Sequence, residues 1–301
     1  MDPVDVIDLC RKAAHEGAPR DVFIPHVFSV GDYQELWLRE PKKVREILDD
    51  LLCAEFPGDG LELLLKFNVI YALFPELAAI KDLGDADGLH KDVWTHTKNV
   101  VAGVPNQLEL RWGSLLHDVG KARTRRIVKG RVTFHNHDRV GARMVDKLHE
   151  RTNLFQSDTA LFRTVRLLVF HHLRPASYRS SWSDSAVRRF TTECADPGFF
   201  QKLMTLSRAD LTTKIPAKRN KCLAKSDELV KRVEALLKED FAPKLPKGTM
   251  GIILERSGKK PGAWLGSLRG ELERMLRSGE VPPEQSADSY ATYGLCLLTK
   301  R

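Results

Sequence analysis

The stretch Leu115-Leu116-His117-Asp118-Val119-Gly120-Lys121 constrains the fold more than any other in this 301-residue chain. Leu115, Leu116 and Val119 read as one apolar face of a helix over 107–119. A helix that buries an imidazole and a carboxylate together must give them a partner. A metal ion is the economical one: neighbouring helical side chains diverge by about 100°, so the two can close on one ion from a rigid base. A bare His-Asp dipeptide carries little weight, because most buried polar groups are satisfied by ordinary hydrogen bonds. What decides the matter is whether further donors stand elsewhere in the chain.

They do. His96 lies in Asp92-Val93-Trp94-Thr95-His96-Thr97, which reads as a helix start with Asp92 as N-cap. His137 sits in Phe134-His135-Asn136-His137-Asp138, with His135 as the alternative donor. His171 and His172 close the apolar run 165–170, and Asp210 interrupts the apolar stretch Leu206-Ser207-Arg208-Ala209-Asp210-Leu211. In order the chain offers His, His-Asp, His, His, Asp: nitrogen and oxygen donors from separate helical stretches, free of thiolate. Such a set suits Mn, Fe, Co, Ni or Zn, and Mg less well.

Helix-compatible apolar spacing recurs at 6–14, 41–52, 61–71, 107–119, 140–150, 161–171, 186–192, 199–212, 227–237 and 264–276, so an all-α fold is expected. Pro41 suits a first helical turn, and 238–248 reads as a linker. One short β-hairpin is expected at about 125–134, with Gly130 in its turn. The division expected is 1–88, 89–213 and 214–301. Five cysteines without a Cys-x-x-Cys argue against a disulfide framework or a structural zinc knot. No apolar run approaches a membrane span, and Met1-Asp2-Pro3 opens no signal peptide, so a cytoplasmic protein without a membrane partner is expected.

The formal net charge is +8, which favours an anionic partner. One basic run follows the His-Asp pair: Lys121, Arg123, Arg125, Arg126, Lys129 and Arg131. A second, Lys214, Lys218, Arg219, Lys221 and Lys225, follows Asp210. Either alone reads as a solvated face; if the metal centre were one that cleaves phosphoesters, a nucleotide or RNA backbone would become the better reading.

This ordered series resembles the HD phosphohydrolase superfamily, all-helical metalloenzymes named for the His-Asp pair. Flanking stretches narrow the resemblance to the carboxy-terminal HD region of bacterial tRNA nucleotidyltransferases (CCA-adding, poly(A) polymerase-like). They are Leu73-Phe74-Pro75-Glu76-Leu77, the two histidine segments at 92–97 and 134–142, His171-His172-Leu173-Arg174-Pro175 and Pro261-Gly262-Ala263-Trp264-Leu265-Gly266. Nothing before Asp92 supplies the glycine-rich strand turn and paired aspartates of a transferase head. Asp85-Ala86-Asp87 lies between glycines and reads as a loop. The expectation is a body and HD portion without that head, so nucleotide addition is not carried over.

The resemblance implies an HD helical bundle with small flanking helical subdomains. It also implies that one ion is held by His96, His117, Asp118 and Asp210, and a second by Asp118 as bridge with His137 and His172. His172 is preferred to His171 because the family pattern sets the ligand immediately before Leu-Arg-Pro. The ions would lie about 3.5 to 4 Å apart and share a water acidified to supply hydroxide. Asp118 and Lys121 are then the candidate catalytic residues, and Lys121, Arg123, Arg125 and Arg174 the candidates for holding phosphate or ribose. Lys121 has a plainer alternative as a helix C-terminal cation. The expected function is metal-dependent hydrolysis of phosphoesters in nucleotides or at an RNA 3' end, tRNA included. The resemblance implies 2',3'-cyclic phosphodiesterase, 2'-nucleotidase or phosphatase activity. The alternatives are a non-catalytic RNA-binding module descended from a tRNA-gripping body, and hydrolysis of nucleoside triphosphates or a signalling nucleotide.

Overall fold

The computed structural model describes residues 2–17, 27–81, 83, 92–194, 197–211, 213, 215–241 and 243–299. Asp85, Ala86, Asp87 and Lys214 lie outside them. The architecture is all-α, as expected, with a two-stranded hairpin as the sheet component among the described residues.

The first helices are α1 (Pro3–Glu16), α2 (Val30–Arg39), α3 (Pro41–Cys53), α4 (Pro57–Lys66), α5 (Val69–Leu73) and α6 (Pro75–Lys81). There follow α7 (Val93–Gly103), α8 (Leu108–Leu116), α9 (Lys121–Thr124), the hairpin β1 (Arg126–Val128) and β2 (Arg131–Thr133), then α10 (His137–Thr152) and α11 (Thr159–His171). After a short 3₁₀ turn at Pro175–Ser177 come α12 (Asp184–Glu193), α13 (Pro197–Ala209) and α14 (Pro216–Phe241), then α15 (Thr249–Ser257), α16 (Ala263–Ser278) and α17 (Ala287–Thr299).

Three sequence expectations are corrected. The single helix expected at 61–71 breaks between α4 and α5, because Asn68 adopts a left-handed conformation at φ 67°. The helix expected over 107–119 ends at Leu116, and 117–120 form a tight turn. Val119 N–H donates to the Leu116 carbonyl and Lys121 N–H to that of Asp118, both reaching back three residues instead of four. The basic segment 218–225 lies within a helix of 26 residues that starts well before the expected 227.

The chain forms two compact units, Met1–Val230 and Lys231–Arg301, divided within α14. The first has a core running from Val4 through Tyr33, Leu51 and Trp112 to Val169, shared between the early helices and α7, α8, α10 and α11. Three indoles tie these layers, since a buried N–H must find an acceptor. Trp112 on α8 donates to Asp49 on α3 at 2.7 Å, Trp37 on α2 to the Thr152 carbonyl at 2.9 Å, and Trp94 on α7 to Glu62 on α4 at 3.0 Å. The second unit packs Ile253, Leu268, Leu272 and Ala291 together, with Leu276, Val281 and Tyr290 beside them. No helix among the described residues is long and apolar enough to cross a membrane.

Candidate metal centre

Helix ends converge on the His-Asp pair. His117 and Asp118 follow the last residue of α8, His172 follows α11, Asp210 follows α13, and His137 opens α10. His96 stands on the first turn of α7, whose N-cap Asp92 accepts from Trp94 N–H at 3.0 Å and Thr95 N–H at 3.1 Å. Arg111 holds α7 against α8 by donating to the Val101 and Pro105 carbonyls. Asp92→Ala is therefore expected to cost about 1 kcal/mol, the usual worth of an N-cap, and to lower the thermal midpoint by roughly 2–4 °C in calorimetry.

A helix end leaves carbonyls without partners, and the histidines use them. The Nδ1–H of His117 donates to the Ser114 carbonyl, that of His172 to Val169, and that of His137 to Phe134, each at 2.7 Å and three residues back. In a neutral ring this fixes the tautomer and turns the Nε2 lone pair inward. His137 Nε2 and His172 Nε2 face each other at 3.2 Å, and His117 Nε2 and His96 Nε2 at 3.3 Å. Two lone pairs at that separation repel unless a proton or a cation lies between them.

Asp118 supplies the negative charge. Its Oδ2 lies 3.2 Å from His117 Nε2 and 3.6 Å from His96 Nε2, and its Oδ1 3.3 Å from His137 Nε2 and 4.0 Å from His172 Nε2. Two groups of donors thus meet at one carboxylate: His96, His117 and Asp118, and Asp118, His137 and His172; either could hold a metal ion. Asp210 joins the first, with Oδ1 2.9 Å from His96 Nε2 and 3.5 Å from His117 Nε2. Side-chain exposure is 0% for His117 and His172 and 2% for Asp118, against 9% for His96, 10% for His137 and 23% for Asp210. The cluster has a dry floor and a wet rim.

The electrostatics agree. Burial works against charge on His117, but Asp118 and Asp210 outweigh it and hold the imidazole up to about 10. Burial raises the Asp118 carboxyl in turn, yet His117, His137 and Lys121 carry it well below the usual carboxylate range, and Asp210 is also lowered. Burial, aided by His117, pushes His172 down to about 4 and keeps it neutral. Carboxylates that favour a proton on His117 favour a cation in its place. The donor set fits a divalent transition metal, nitrogen-rich and thiolate-free.

All six expected donors come together. His135 is exposed, while His137 points inward. His171 is buried away from the cluster, its ring edge-on to Phe170 and Phe199 and its Nδ1 without a partner. Lys121 reaches Asp118 Oδ2 at 2.5 Å and lies over the Phe134 ring. Arg123 is exposed and Arg125 half-buried. Arg174 pairs with Glu193 at 2.7 Å over the Phe190 ring. Sequence reasoning missed Gly120, whose backbone touches that of Gly141; a Cβ at Gly120 would stand 2.0 Å from the His137 carbonyl oxygen. The Asp118-Val119-Gly120-Lys121 order held that signal, since a glycine two residues after a buried His-Asp pair is suited to a close backbone approach.

Residues 88–237 match the family model described as HD domain. The chain is 28% identical over 258 residues to the A-adding tRNA nucleotidyltransferase of Deinococcus radiodurans, covering 83% of this chain and 57% of that protein. It is 27% identical over 261 residues to the CC-adding tRNA nucleotidyltransferase of Thermus thermophilus, covering 84% and 56%. The chain thus spans just over half the length of these curated relatives.

Proposed function

The chain carries an HD domain over residues 88–237, and from that premise we propose that it is a metal-dependent phosphohydrolase acting on phosphoesters of nucleotides or RNA ends. The observation that carries this reading is the buried Asp118 shared by two groups of imidazoles whose Nδ1 atoms are already tied to backbone carbonyls. Divalent ions bound there would supply Lewis acidity and an acidified water. His96, His117, Asp118 and Asp210 would hold one ion, and Asp118, His137 and His172 a second. The candidates are Mn, Fe, Co, Ni or Zn, with Mg the poorer match.

The protein's own groups do the rest. The three carbonyl-anchored rings are pre-oriented, so little reorganisation is needed when charge develops. Lys121, held on Asp118, can swing its ammonium to a nonbridging phosphate oxygen that arrives beside that carboxylate. Lys121→Ala is accordingly expected to keep its metal and lose about 10²-fold in kcat; undiminished turnover would reduce Lys121 to a structural cation.

The substrates to try first are 2',3'-cyclic AMP, 2'-AMP and p-nitrophenyl phosphate, each with Mn, Ni, Co and Mg. Turnover abolished by a chelator and restored by one of these ions is the expected result; no turnover with any of them would defeat the reading. A second reading, an RNA-binding module without catalysis, draws support from the basic run 121–131 and from the tRNA enzymes among the relatives. Tight tRNA binding without turnover would favour it.

A further inference from the structure

The segment between the two halves of the cluster has an unusual charge. Residues 121–137 hold six lysines and arginines and no acidic residue. Within it, β1 and β2 pair antiparallel in the register Arg126 with Thr133, Ile127 with Val132 and Val128 with Arg131. Lys129 and Gly130 turn at φ 51° and 73°, both positive, as a two-residue hairpin turn with the right twist requires. The register puts Arg126, Val128 and Arg131 on one face of the ribbon and Ile127 and Val132 on the other. Arg126, Ile127, Val128, Lys129 and Arg131 are all exposed, Ile127 at 67%. Arg123, Arg125, Arg126, Lys129 and Arg131 form no ion pair with any described residue, whereas Lys121 pairs with Asp118. A folded protein normally intersperses acids among that many cations; leaving them unpaired on a protruding ribbon favours a polyanion.

The ribbon is also tethered at the site. It leaves from Lys121, beside Asp118, and returns at Phe134, whose carbonyl anchors His137. Thr133 is four residues before His137, so their Cα atoms lie within roughly 14 Å. The strands carry the turn about 10 Å farther. A nucleoside monophosphate with its phosphate at the cluster has no second phosphate to offer these cations. An oligonucleotide has one per residue, spaced by about 3.4 Å along the strand axis when stacked. The floor of the cluster is buried, so a strand end enters more readily than a duplex, and unstacked bases pack well on guanidinium planes and apolar side chains.

We infer that the 126–131 ribbon is a grip for single-stranded RNA that selects a polynucleotide end over a free mononucleotide at the adjoining centre. The selection rests on the hydrolase reading; the grip does not. The test is the triple variant Arg126→Gln/Lys129→Gln/Arg131→Gln in the full chain, with its thermal midpoint checked against the parent. Anisotropy with a fluorescent 12-nucleotide RNA is expected to show binding weakened at least tenfold in low salt. The slope of log Kd against log salt should fall by about 2, near 0.7 for each of three lost contacts on a single strand. The value of kcat/KM on 2',3'-cyclic AMP should stay within twofold of the parent's. Unchanged RNA affinity and slope would overturn the inference, as would equal affinity of the parent for a polyglutamate of matching charge. Loss of 2',3'-cyclic AMP turnover in parallel with RNA affinity would also overturn it, by making the ribbon part of the reaction site. If the parent hydrolyses nothing, the hydrolase reading fails while the anisotropy result still decides the grip.

Discussion

Asp118→Ala is expected to strip bound metal to background by elemental analysis and to lower turnover at least about 10³-fold, the scale of losing a preorganised electrostatic group. The expectation follows from position: this carboxylate stands within 4.0 Å of four imidazole nitrogens and belongs to both donor groups. His96→Ala and His172→Ala, by contrast, each remove a donor from one group and should leave metal associated with the other. Removing a buried charge also unbalances its partners, at a typical cost of several kcal/mol. Asp118→Asn, which keeps the shape, separates loss of metal from loss of fold. An Asp118→Ala protein with full metal content and activity would refute the bridging role and, with it, the proposed chemistry.

Gly120→Ala is expected to be the most damaging glycine-to-alanine change among the described residues. The added carbon would lie 2.0 Å from the His137 carbonyl oxygen and 2.7 Å from the Gly141 nitrogen, both backbone atoms that cannot rotate away. Relief requires the turn at 117–120 to part from α10, at about 3 kcal/mol. At roughly 2–4 °C per kcal/mol the thermal midpoint should fall by roughly 6–12 °C. Gly270→Ala is the control, because its Cβ would meet nothing within 4 Å and α16 should gain slightly from it. A Gly120→Ala protein as stable as its parent would show that the two backbones do not touch.

Much of the site was legible because its chemistry is punctuated along the chain. A histidine or aspartate that breaks an apolar helical pattern stands out, and His117, His172 and Asp210 each did so at a helix end. The hairpin was legible from Gly130 and the flanking β-branched residues. What periodicity could not supply was the manner of ending. It carried the helix through to Val119, whereas the His117 ring takes the Ser114 carbonyl and the chain tightens into a turn. Nor could it separate His135 from His137 or His171 from His172, because that choice depends on which ring finds a carbonyl three residues back. The contacts of Arg174 with Glu193, and of the three indoles with α3, α4 and α10, join segments far apart in sequence, and no local pattern encodes them.

The uneven exposure of the cluster imposes an order of events. Among the described residues His117, Asp118 and His172 are buried, while His96, His137 and Asp210 form the partly exposed side of the cluster. On the proposed chemistry, ions loading from that side would precede the phosphoester, and a departing phosphate would leave along the same path. Slow product escape would trap the metals inside, making a turning-over enzyme harder to strip with a chelator than an idle one.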